Sequence, residues 1–134
     1  MKDNCDSGQF IAIQKAAVAG LADAEIPRQV REKYRRRLEK LVGVLRTVGF
    51  DCTVPGGTYF LYAKAPKGCG DRSFANAEEA SQFLIGEQSV ICVPWDNAGP
   101  YLRFSVTYLA KDEREEDVLM TEAVNRLGGL RLRF

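Results

Sequence analysis

The chain has 134 residues, a length that suits one domain, and its 46% hydrophobic and 28% charged residues are ordinary globular usage that speaks against disorder. With 19 Lys and Arg against 18 Asp and Glu, the net charge is +1, so no whole-molecule field draws the chain to nucleic acid or to a membrane surface. No run of about 18 apolar residues offers a membrane span, and the polar N-terminus is no signal peptide, which together point to the cytoplasm.

The first periodic segment covers residues 9–21, with Phe10, Ile13, Ala17 and Leu21 at helical spacing and Asp6 or Ser7 as caps. A second, longer helix opens near Pro27 and ends before Gly49; Val30, Tyr34, Leu38, Leu41, Leu45 and Val48 form its apolar stripe. The period then changes. Residues 50–54 read as a short strand, Pro55-Gly56-Gly57 as a turn, and residues 58–64 (TYFLYAK) as a strand. Residues 66–70 form a loop. Asn76 with Glu79 resembles a capping box, and the helix behind it turns Ala80, Phe83 and Leu84 inward. Residues 89–93 (SVICV) predict a strand stopped by Pro94, and residues 101–108 (YLRFSVTY) another after a loop. A last helix follows Asp112, with Leu119, Ala123, Val124 and Leu127 as its stripe. The tail, residues 129–134, has no assigned element.

The order α, α, β, β, α, β, β, α predicts an α/β two-layer sandwich, a small mixed or antiparallel sheet with helices packed mainly on one face. The first helix stands apart as a connector over residues 1–26, leaving residues 27–134 as the domain proper.

Chemistry is sparse. The sequence has no histidine, which removes Ser-His-Asp and Cys-His catalysis, and Cys5, Cys52, Cys69 and Cys92 fit no C-x-x-C or zinc spacing, so no metal site is expected. The cysteines read as reduced thiols. Arg35, Arg36 and Arg37 read as a solvated helix face balanced by Glu32 and Glu39, not as a nucleic-acid patch. The glycine-rich pieces VPGGT and KGCG serve turns, and Lys15, Lys64 and Lys67 lie in no context that marks a Schiff-base nucleophile. Arg103 is the residue that asks for an explanation. Strand alternation sets it with Ser105 and Thr107, opposite Leu102, Phe104 and Val106. A guanidinium there either grips a carboxylate in a two-pronged bond or lies on a solvated sheet face.

Read in order, the segments resemble the class I/II, fold-type I, pyridoxal-phosphate-dependent aminotransferases. DNCDSGQFIAIQKAA is similar to the stretch that follows the cofactor lysine in that family, S-N-x-x-S-G-x-F-x-A-I-Q. EKYRRRLEKLVGVLRTVGF resembles Y-x-x-R-R-x-x-L-x-x-x-L-x-x-x-G-F, and PGGTYFLYAKAP resembles P-x-G-T-F-Y-L-W-x-x-x-P. VICVPWDNAGPYLRFSVTY resembles the V-x-x-x-P…G…Y-x-R-F-S-x-T region. Together these pieces cover nearly the whole chain, and their tone is similar to the LL-diaminopimelate and aspartate-type branches.

The resemblance implies a C-terminal small domain that closes on an amino acid or 2-oxo acid substrate, in an enzyme that dimerises through its larger part. It implies that Arg103 binds the substrate α-carboxylate and that Asn4 and Tyr59 lie near the active site. It implies pyridoxal phosphate as the electron sink of the full-length enzyme. The Schiff-base lysine, phosphate-binding residues and pyridine-nitrogen aspartate would precede Met1, so this chain alone is expected to bind no cofactor, to be inactive and to self-associate through faces left apolar. VPWDNAGPY departs from the longer P-G-x-x-F-G loop of many members, which puts the loop beside the carboxylate site in question. The alternative function is a non-catalytic remnant or interaction module that keeps only the fold.

Overall fold

A computed structural model describes residues 10–134, which fall into two compact units that divide between Lys33 and Tyr34. In the first unit α1, Ile11–Ala22, starts from Phe10, which offers no side-chain cap; Asp6 and Ser7 lie outside the described residues. None of its side chains is buried, and Leu21 is 88% exposed. Helix α2, Glu25–Thr47, opens where an Asp23 carboxylate oxygen accepts from the Glu25 N–H at 2.9 Å. Pro27 sits in the first turn, where its missing N–H costs nothing. Glu25 and Glu32 clasp Arg28 along the surface.

In the second unit the remainder of α2 buries Leu38, Leu41, Val42 and Leu45. Gly49 ends the helix at φ +96°, a left-handed conformation that glycine adopts without strain, and the Phe50 N–H donates back to the Leu45 carbonyl at 3.0 Å. The strand expected over residues 50–54 is absent. Phe50 and Cys52 are buried, but the backbone groups serve the helix end: the Cys52 carbonyl accepts from Arg46 Nε at 2.9 Å.

The main sheet contains β1, Phe60–Lys64, β4, Val93–Pro94, and β5, Tyr101–Ser105, in the order β1-β5-β4 with antiparallel neighbours. Leu61, Ala63, Leu102 and Phe104 face the core, which they share with Leu38, Leu45, Leu84 and Leu127. The layer is therefore α over β, as expected. Two predicted strands are shorter than the pattern suggested. Residues 89–92 do not pair, because Ser89, at φ 52°, and Val90 donate to Ile85 and Leu84 and so finish the helix before them. Pro94 does not stop β4 but lies within it, tolerated on an edge strand that needs no further donor. Likewise β5 ends at Ser105, since the carbonyls of Val106 and Tyr108 accept from Arg37 at 3.1 and 2.7 Å in place of a strand.

A second small sheet was not foreseen. Here β2, Gly68–Cys69, lies between β3, Arg72–Ser73, and β6, Leu132–Arg133, again antiparallel. The segment expected as a loop over residues 66–70 supplies β2, and the unassigned tail supplies β6. The tail ends with the Phe134 ring 5.0 Å from that of Phe50.

Helix α3, Ala77–Gln88, begins as the capping box predicted: Asn76 accepts from the Glu79 N–H at 2.9 Å and Glu79 accepts from the Ala75 N–H at 2.8 Å. Helix α4, Glu113–Leu127, is capped by Asp112. Its inward positions are Glu116, Met120, Ala123 and Leu127, whereas Leu119 and Val124 are exposed. A glutamate thus occupies the first place of the buried stripe. Glu116 is 1% exposed and Arg37 2%. Arg37 Nε donates to Glu116 at 2.7 Å, Arg36 Nε at 3.0 Å and Lys40 Nζ at 3.3 Å. The reading of Arg35, Arg36 and Arg37 as one solvated face holds for Arg35, which pairs with Glu39 at 3.6 Å, and fails for Arg37. Helical spacing had paired these arginines along α2; the partner of two of them is on α4.

Burial pushes the Glu116 carboxyl up, but the hydrogen bonds from Arg36, Arg37 and Lys40 outweigh it and lower the pKa from 4.5 to about 2. A carboxyl depressed by folding adds stability that is complete above about pH 4.5 and lost as the pH falls toward 2, on the order of 3 kcal/mol in all. Glu116→Gln is expected to cost roughly 3–5 kcal/mol at neutral pH, because Arg37 stays buried without its counter-charge. Denaturant unfolding across this pH range checks both points: the unaltered chain should lose stability on acidification, and the variant should lack that share of the loss.

Candidate functional site

The outer face of the main sheet carries Phe60, Tyr62 and Lys64 from β1 and Tyr101, Arg103 and Ser105 from β5, as the period of two requires. Arg103 stands on the central strand, directly opposite Tyr62 on one side and Val93 on the other. Its Cζ lies over the Phe60 ring at 4.3 Å and over the Trp95 ring at 5.0 Å. Each such contact is worth about 0.5–1 kcal/mol where water reaches it. Among the described residues the guanidinium makes no hydrogen bond and no ion pair. It is a half-buried cation with rings about it and its donors unspent. That combination suits one planar anion bound edge-on.

Tyr59 is 45% exposed and immediately precedes β1. Its ring packs on Phe60 at 4.6 Å and on Tyr34 at 5.8 Å, while its carbonyl accepts from the Val106 N–H at 3.1 Å. Phe60 therefore touches both Tyr59 and Arg103, and these two candidate residues share one aromatic neighbour. Asn4, the third candidate, lies outside the described residues. Phe60 and Trp95 were missed in the sequence. Alternation could have placed Phe60 beside Arg103, and the single tryptophan, one residue beyond β4, was the other signal.

The loop from Trp95 to Pro100 is short and closed on itself. The Trp95 N–H donates to the Tyr101 carbonyl at 2.9 Å, Gly99 to Asp96 at 3.1 Å and Tyr101 to Gly99 at 2.7 Å. Gly99 sits at φ +116°, and a Cβ there would come within 2.8 Å of the Tyr101 ring, so the turn needs glycine. Asp96 uses both carboxylate oxygens on the start of α3, accepting from the Ala77 N–H at 2.8 Å and the Glu78 N–H at 3.2 Å. The carboxylate nearest to Arg103 in sequence is thus occupied by a helix N-terminus.

Other chemistry is thin. Burial pushes the Cys52 and Cys92 thiols up, away from the thiolate a nucleophile needs. No group of three potential metal-ligating side chains is present among the described residues, and no helix among them is long and apolar enough to cross a membrane. Lys40 is paired with Glu116 and Asp117, and Lys15, Lys64, Lys67 and Lys111 are exposed, so none sits in the desolvated or cation-rich surroundings that activate an amine.

The family described as aminotransferase class I and II matches residues 8–119. The chain is similar to the LL-diaminopimelate aminotransferase of Methanocaldococcus jannaschii, 46% identical over 100% of this chain and 34% of the relative. It is also similar to the enzyme of that name from Methanococcus maripaludis, 49% identical over 95% of this chain and 32% of the relative. The chain thus spans about a third of the length of the curated relatives it matches. Among solved structures it resembles the apo form of BacF from Bacillus subtilis, with a TM-score of 0.74 at 23% identity over 98% of this chain and 33% of that one. It also resembles the aspartate aminotransferase of Rhizobium meliloti, with a TM-score of 0.69 at 24% identity over 89% of this chain and 31% of that one. These two likenesses are of fold. Membership rests on the match that runs across most of the sequence, and the chain belongs to the class I and II aminotransferase family.

Proposed function

We propose that residues 27–134 act as the substrate-closing small domain of an aminotransferase, with residues 1–26 as the connector to a large domain, and that Arg103 anchors the α-carboxylate of the amino acid or 2-oxo acid. The observation that carries this is the guanidinium that spends no donor on a described residue and lies against two rings at the middle of the sheet face. The two relatives named LL-diaminopimelate aminotransferase support that amino donor for the complete protein, and the family supports a homodimer.

Pyridoxal phosphate, when bound, supplies an electron sink for the amino acid's Cα electrons. Among the described residues no lysine lies in activating surroundings, so they do not fit a site for it. What these residues do is bind and orient. Arg103 offers parallel N–H donors to the two carboxylate oxygens, which fixes the substrate's orientation. Phe60 and Trp95 shield the guanidinium from water, Tyr62 backs Trp95 edge-on, and Tyr59 borders the same patch through Phe60.

Arg103→Lys in the complete protein tests the anchor. Lysine keeps the charge and loses the fork, so KM for amino donor and 2-oxo acceptor should rise about ten- to a hundredfold, the equivalent of the roughly 1.5–3 kcal/mol of a charge-assisted bond. An unchanged KM for both would reject the anchor. The chain by itself, given pyridoxal phosphate and an amino donor, is expected to show no turnover; measurable transamination would overturn the division of labour proposed here. Finally, Ile11, Ile13, Val18 and Leu21 of α1 are all exposed, an apolar surface that favours association. Sedimentation of the chain at rising concentration should show self-association, reduced by Leu21→Lys.

A further inference from the structure

We infer that Trp95 is a positioning residue that acts on substrate through Arg103, an inference that rests on Arg103 being the carboxylate anchor. The sheet order puts β5 between β1 and β4, so Arg103 has a neighbouring strand on each side. One ring reaches it from each. Phe60 comes from the β1 side, two residues from Tyr62, which faces Arg103 directly. Trp95 comes from the β4 side, two residues beyond Val93, which faces Arg103 from that strand. Both are diagonal neighbours, a distance that large rings span. The long arginine side chain, which carries much rotamer freedom in solution, is thereby held from two sides.

A ring contact uses the face of the guanidinium, while a carboxylate takes the N–H groups along its edge. Trp95 therefore restrains the cation without consuming a donor that the substrate needs. An acidic restraint in the same place would neutralise it. Trp95 is itself fixed. Its N–H is bonded to the Tyr101 carbonyl, its carbonyl accepts from the Ala98 N–H at 3.3 Å, and its ring meets that of Tyr62 edge-on at 6.1 Å. The next residue, Asp96, is tied by both oxygens to the N-terminus of α3. The loop that departs from the longer family pattern thus carries its own device for setting the anchor's direction.

The test uses the complete protein with Trp95→Leu, which keeps apolar bulk and removes the ring, and Trp95→Phe, which keeps a ring. Trp95→Leu should raise KM for amino donor and 2-oxo acceptor about fivefold with kcat little changed, the pattern of lost uniform binding. Trp95→Phe should restore most of that loss. In an Arg103→Lys background Trp95→Leu should have little further effect, because the planar cation it restrains is gone. An unchanged KM in Trp95→Leu overturns the inference, and so does an equal rise in both backgrounds, which would mean a role independent of Arg103. If Arg103→Lys alone leaves KM unchanged, the anchor reading has failed and this inference falls with it. If that substitution raises KM and Trp95→Leu does not, only the role of Trp95 is lost.

Discussion

The buried pair between Arg37 and Glu116 is the constraint on which the second unit depends. Two charges removed from water cost several kcal/mol each, and only close geometry with the remaining lone pairs occupied offsets that. Both conditions are met. Glu116 accepts from Arg36, Arg37 and Lys40, and Arg37 gives its other donors to the carbonyls of Val106 and Tyr108. One guanidinium therefore joins α2, α4 and the chain leaving β5. Those carbonyls follow Ser105 and would otherwise need a strand partner or water. Because Arg37 satisfies them, β5 can end sharply, and the strand that presents Arg103 is held at its far end by a buried cation.

The same domain thus uses arginine in two opposed ways. Arg37 is buried with its donors taken up by protein oxygens. Arg103 is half-buried and spends none on described residues. The difference lies in what surrounds the head group. On the inner side it is carbonyls and a carboxylate; on the outer side it is aromatic faces, which attract the cation but cannot saturate its hydrogen-bonding edge. A structural arginine needs closure. A binding arginine needs support that leaves its edge open, and the sheet face supplies that through Phe60 and Trp95.

Much of the fold could be read from the residues because the signals were local. The Asn76–Glu79 box, Gly49 as helix end and the alternation of β5 each depend on neighbours within a few positions, and each is found where the pattern put it. Non-local features escaped. The strand β6 exists only because β2, some sixty residues earlier, offers an edge to pair with, and neither two-residue strand has a period to read. Glu116 sits on the inner stripe of α4, where hydrophobicity alone counts it as surface; its place depends on Arg37, 79 residues away. The candidate site divides in the same way. Alternation put Arg103 on the outer face, but the rings around it come from β1 and from the loop after β4 and needed the sheet order to find.

The start of α3 also explains how Arg103 forms no ion pair among the described residues. Asp96 is the acidic residue nearest to it in sequence, and a free carboxylate in that loop would be the obvious partner for an unspent guanidinium. The helix N-terminus competes for it. Two backbone N–H groups at the positive end of α3 take both of its oxygens, and Asn76 covers a third. The loop is short, so fixing Asp96 on α3 also fixes the residue before it. One carboxylate thereby removes itself as a competitor, completes the cap of a helix and places Trp95 against the cation. A longer or freer loop would uncouple these three effects, and an aspartate left mobile in it could fold back on Arg103 as an internal substitute for a bound carboxylate.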